Sequence, residues 1–89
     1  MKYTFTADSG HGWLRVNREE LQSLGIADKI TEFSYQRNDY VYLEEDCDLA
    51  TFFRAKVPDG EFSAWWKQNV TERHCERSHI RGFERYSTI

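Results

Sequence analysis

The sequence predicts a small α+β domain in which an antiparallel sheet of two hairpins packs against two or three helices. Three observations carry that expectation. Apolar and polar residues alternate on both sides of the glycine-rich run "ADSGHG", and they alternate again on both sides of Arg37-Asn38-Asp39. From Leu49 to Asn69 the apolar spacing changes to i, i+3, i+4. With 89 residues, one domain spanning 1–89 around a single modest core is the expected organisation.

Tyr3 and Phe5 alternate within a first strand, Lys2–Thr6, and Trp13-Leu14-Arg15-Val16 supplies its hairpin partner. In "VNREELQSLGI" Asn17 is placed as an N-cap, with Glu20 three residues on completing a capping box. Val16 and Leu21 fit a hydrophobic staple. Gly25 stands where a left-handed residue closes a helix over 18–24, with Ile26 folding back onto Leu21. "IADKIT" reads as a turn or short helical piece. Phe33 and Tyr35, then Tyr40 and Tyr42 or Val41 and Leu43, flank a polar turn and give the second hairpin. Leu49, Phe52, Phe53 and Lys56 mark a second helix stopped by Pro58, and Phe62, Trp65, Trp66 and Asn69 mark a third. In the tail, Arg73, Arg77, Arg81 and Arg85 recur every four residues, whereas Gly82 and Ser78-His79-Ile80-Arg81 favour a strand.

"LEEDCDLATFF" places Glu44, Glu45, Asp46 and Asp48 just before the second helix. Unpaired amides and the helix dipole favour each carboxylate there by about 0.3–1 kcal/mol, with Asp46 or Asp48 as the cap. A calcium loop would need spaced oxygen ligands and a glycine at its turn, and a phosphate cradle of the GxxxxGK[ST] type is absent from the sequence. The carboxylates left over by capping could face a basic partner. Cys47 lies where a helix terminus lowers a thiol pKa and neighbouring carboxylates raise it; a small buried hydrophobe is the expected role. His74, Cys75 and His79 with Cys47 could supply four zinc ligands, but adjacent His74 and Cys75 do not form the CxxC or HxxxH pairs that structural zinc prefers. Surface histidines beside a buried cysteine are expected instead, with no metal, cofactor or catalytic residue.

His11, between two glycines, is carried as a binding candidate with Trp13 as stacking neighbour. Trp65 and Trp66 point about 100° apart on a helix; one is expected in the core and the other at its margin as an interface anchor. Between Lys67 and Ile89 five Lys or Arg face three Glu. In a strand, Arg81, Phe83 and Arg85 would share a face able to stack bases and pair with phosphates, although surface pairing with Glu72, Glu76 and Glu84 accounts for the same charges.

Composition narrows the classes. Apolar residues make up 39% of the chain, but aromatics reach 16%, enough large rings to build a core and to exclude disorder. A net charge of −3 and pI of 5.6 are too mild for a wholesale nucleic-acid binder or a strong polyanion mimic. The start "MKYTFT" lacks an apolar targeting segment, and no run is long enough to span a membrane. A cytoplasmic protein with reduced thiols is expected.

Gly10-His-Gly-Trp-Leu14, Leu24-Gly-Ile-Ala-Asp-Lys-Ile-Thr31, Ser34-Tyr-Gln36, Tyr42-Leu-Glu-Glu-Asp-Cys-Asp48 and the ending Ser78-His-Ile-Arg81 with Arg85-Tyr86 resemble a family of small uncharacterised proteins of bacteriophages, plasmids and bacterial accessory genomes. The resemblance carries no assigned activity and no site residues; it implies a mobile-element setting. Two functions follow as expectations. The first is a non-enzymatic binding protein that modulates a host or phage protein, such as an inhibitor of a defence system, using the acidic cluster, the Trp pair and His11. The second is a nucleic-acid-associated regulator using the arginine-rich C-terminal segment.

Overall fold

Alternation in the first twenty residues builds the centre of the molecule. The computed structural model describes residues 3–88. Strand β1 (Tyr3–Ala7) turns through Asp8–His11 into β2 (Gly12–Asn17), with Phe5 opposite Leu14 and Thr6 opposite Trp13. Lys2, expected at the start of β1, lies outside the described residues. Gly12 is required where the strands meet: a Cβ there would sit 2.2 Å from the Phe5 ring.

Helix α1 (Arg18–Ser23) follows at once. Asn17 Oδ1 accepts the Glu19 amide at 2.9 Å, so the N-cap forms. The other half of the capping box does not. Glu20 instead turns to the core edge, where it accepts the Tyr3 hydroxyl at 2.8 Å and meets Lys56 at 2.7 Å. The far end closes as a Schellman motif, with Ile26 N–H on Leu21 O, Gly25 N–H on Gln22 O, and Gly25 at φ 72°. A 3-10 turn at Ala27–Lys29 leads into the second hairpin.

That hairpin is β3 (Tyr35–Arg37) and β4 (Tyr40–Glu44), joined by a two-residue loop with Asn38 in the left-handed region. Phe33 falls outside β3 and is 63% exposed. Strand β4 pairs with β2, which merges both hairpins into one sheet. Helices α2 (Asp48–Lys56) and α3 (Phe62–Asn69) then carry the chain over the sheet to its far edge.

The tail departs from expectation. Val70–His74 forms β5 parallel to β1, residues 79–82 form a 3-10 turn, and Glu84–Arg85 forms β6 on β3. The fold is α+β, but among the described residues the sheet is mixed and six-stranded, in the order β5-β1-β2-β4-β3-β6, rather than two antiparallel hairpins. A two-stranded ribbon is marginal in water; a six-stranded sheet gives the helices a broader face to cover. Leu14, Val16, Leu21, Val41, Leu43 and Phe52 are 0–1% exposed and fill the layer between sheet and helices. Burying a side chain such as Phe52 contributes about 1.5–3 kcal/mol.

Two candidate binding faces

The acidic cluster is taken apart by the fold. Glu44, at the end of β4, reaches forward to the start of α2. Its carboxylate accepts the amides of Asp46 at 2.8 Å, Cys47 at 2.6 Å and Asp48 at 2.8 Å. Capping is therefore performed by Glu44, not by Asp46 or Asp48, and Cys47 occupies the N-cap position. Asp48 is 0% exposed and accepts Thr31 N–H at 3.1 Å, Thr31 Oγ1 at 2.7 Å and Ser34 Oγ at 2.6 Å. Its carboxylate ties the loop before β3 to the start of α2 and is out of reach of a partner. Glu45 and Asp46 remain exposed. Cys47 and Cys75 are both exposed, against the expectation of buried thiols, because each lies outside the packed layer, at a helix start and beyond a strand end. Among the described residues no group of three or more His, Cys, Asp or Glu is placed to hold a metal ion.

Alternation leaves the side of the sheet away from the helices lined by Trp13 and Arg15 of β2, Tyr35 and Arg37 of β3, Tyr40, Tyr42 and Glu44 of β4, and Arg85 of β6. The C-terminal segment returns across this open face. Phe83 packs on Tyr42 with ring centroids 5.1 Å apart, and Arg81 lies 5.3 Å above the Trp13 ring. Asp8, in the β1–β2 turn, fastens the segment down. Its carboxylate, 1% exposed, takes Nε and Nη2 of Arg81 and the Ser78 amide, besides the Gly10 and His11 amides. The Arg81 guanidinium, and then these amides, hold the Asp8 carboxyl well below the usual carboxylate range despite its burial.

Beside this clasp opens a cleft of about 390 Å³ lined by His11, Trp13, Phe33, Tyr35, Glu44, Asp46, Cys47, Arg81 and Arg85. It unites five expected binding residues: His11, Glu44, Asp46, Arg81 and Arg85. Arg81 and Arg85 reach it from a 3-10 turn and from β6, so the four tail arginines do not form one helical face. Arg77 lies in the exposed loop before the turn, and Arg73 on edge strand β5.

The helix side carries a second feature. Trp65 stacks near Tyr3, Phe52 and Phe53; Trp66 packs on Phe5 at 5.2 Å and on Phe53 at 5.7 Å, and its indole N–H donates to Glu72 at 2.9 Å. Both indoles are half-buried, where one buried and one marginal ring were expected. None of the eight residues of α3 is fully buried. Between α2, α3 and β5 runs an open groove of about 920 Å³, walled by Leu49, Phe53, Phe62, Trp66 and Val70, with Glu45, Lys67 and Glu72 at its rim. Phe62 stands at its mouth, 41% exposed and 4.5 Å from Phe53.

Sequence reasoning missed Asp8, Arg15, Arg37, Tyr40 and Tyr42. The strand residues carry a readable signal, since they occupy the outward positions of strands that were correctly located. Asp8 carries only the local signature of a turn. No family model matches the chain, and no curated protein or solved structure matches it. No described helix is long and apolar enough to cross a membrane.

Proposed function

We propose that this chain is a non-enzymatic binding protein that docks on a protein partner through the groove between α2 and α3. One observation carries the reading. Helix α3 holds Phe62, Trp65 and Trp66 yet fully buries none of its residues, so the fold leaves aromatic surface partly in water. Monomeric domains rarely leave such a surface contiguous without use, and Trp, Tyr and Arg anchors dominate binding hot spots. A partner presenting apolar side chains would fill the groove and meet the Glu45 and Glu72 carboxylates at its rim. The resemblance described above supplies the setting: a host or phage protein as partner, with inhibition of a defence system as the finer expectation.

Capture from bacterial lysate by the wild-type chain and by Phe62→Ser tests the reading. Phe62 is 41% exposed, and circular dichroism of the variant checks that it folds. A partner held at micromolar protein and lost from Phe62→Ser is the expected result. Equal capture by both chains, or none by either, would remove the groove from consideration.

A further inference from the structure

The open face of the sheet is built from alternating cations and rings. Strand register sets Arg15 opposite Tyr42, Tyr42 opposite Tyr35, and Tyr35 opposite Arg85. This Arg-Tyr-Tyr-Arg row crosses four strands, or about 14 Å at roughly 4.8 Å per strand. Arginines around it also lie over rings: Arg15 at 4.7 Å from the Tyr40 centroid, Arg37 at 5.1 Å from Phe83, and Arg85 at 5.4 Å from Tyr35. A guanidinium resting on a ring is held in place while its N–H edge faces outward; Arg85 gives one N–H to the Glu32 carbonyl at 3.1 Å and keeps the others for an anion. Arg15, Arg37 and Arg85 are all exposed.

Charge is segregated to match. The chain carries −3 overall, yet the open face presents Arg15, Arg37 and Arg85, joined by Arg73, which the β1–β5 register sets beside Thr6. Against them stands Glu44, whose oxygens accept three amides of the α2 start; Asp8 and Arg81 offset each other. Asp46, at the cleft rim, makes that end the poorest for a phosphate. A positive face on a negative protein concentrates anions locally.

We propose that this face binds single-stranded nucleic acid, with phosphates on Arg15, Arg37 and Arg85 and a base stacked on the exposed ring of Tyr40. Cations alone would suit any polyanion. The exposed ring selects a splayed base, because every base offers a π face to an aromatic platform. A duplex keeps its bases stacked inside and is read in the major groove by a helix or β-ribbon that can enter it; here the rings belong to a six-stranded sheet, too broad to enter that groove. The site lies on the opposite side of the sheet from the α2–α3 groove, so neither proposal rests on the other.

Fluorescence anisotropy with a labelled twelve-nucleotide oligothymidylate, and with a duplex of equal length, tests this on the whole chain at 50 and 200 mM salt. Three phosphate contacts weaken single-strand binding by about 20-fold between those concentrations. Tyr40→Ala, at a position 39% exposed, weakens it by about tenfold, and Arg15→Gln with Arg37→Gln flattens the salt dependence. Circular dichroism confirms that the variants fold. No binding at 50 mM salt overturns the proposal. So does duplex bound as tightly as single strand, or affinity indifferent to Tyr40→Ala, which would mark the face as a nonspecific cationic surface.

Discussion

Arg81 forms a two-point fork on Asp8 across 73 positions of sequence, Nε to Oδ2 at 2.7 Å and Nη2 to Oδ1 at 2.8 Å. The pair decides where the C-terminal segment lies, and with it the shape of the cleft and of the open face. Because the Asp8 pKa is lowered on folding from an ordinary value of 3.8, its contribution is complete above that value and is lost as pH falls below it. Asp8→Asn removes the contribution at neutral pH. Urea denaturation should show the variant well below wild type at pH 7, with the gap narrowing as pH drops from 4 toward 2. A constant gap would show that the fork is not held by charge.

The start of α2 offers a direct comparison of neighbouring carboxylates. Glu44 accepts three backbone amides, whereas Glu45 is exposed. Glu44→Ala is expected to cost about 1–2 kcal/mol, the upper range for losing a cap, and Glu45→Ala less than about 0.5 kcal/mol. Equal effects in thermal or urea melts would return the acidic cluster to a diffuse dipole interaction.

How much of this was legible follows from the range of the forces involved. The N-cap at Asn17, the left-handed Gly25 and the helix over Phe62–Asn69 depend on neighbours within a turn or two, and the sequence displays those neighbours. The sequence points to Asp46 or Asp48 as the cap of α2 because a cap normally sits beside its helix; a strand-end Glu44 reaching forward by two to four residues breaks that habit. Strand β5 was hidden because its pairing with β1 joins Val70 to Tyr3, and nothing local in "VTERH" announces a parallel partner so distant. The open face fell between these cases. Its outward positions were implied by alternation, but their coming together needed the β2–β4 and β3–β6 registers.

Ser34 hydrogen-bonds two polar groups. It is 0% exposed, donates to Asp48 Oδ2 at 2.6 Å and accepts the Glu44 amide at 3.0 Å. Ser34→Ala should cost about 1–3 kcal/mol, since it removes an acceptor from that amide and a donor from a buried carboxylate. Thr31→Val, which keeps the Thr31 amide on Asp48, should cost less. Urea titration of both variants checks the order; a neutral Ser34→Ala would mean that water replaces the hydroxyl.

Tyr3 gives the alkaline limit of the fold. Its hydroxyl donates to both oxygens of Glu20 at 2.8 and 2.9 Å, and the ring is 4% exposed. Burial first, then the hydrogen bond to Glu20, then the Glu20 charge push its pKa above the ordinary 10.0. A raised tyrosine pKa means that the folded chain keeps a proton which the unfolded chain releases. Stability is therefore whole below pH 10 and declines as pH rises past it. Burial likewise raises Tyr42 and Tyr86, so the wild-type chain should lose stability with a slope of more than one proton. Tyr3→Phe removes one of those protons while keeping the ring packed against Phe52 and Trp65. Urea midpoints collected between pH 9 and 11.5 should fall less steeply in Tyr3→Phe than in wild type, by about one proton. Parallel curves would show that the Tyr3 hydroxyl ionises in the folded chain as freely as in the unfolded one.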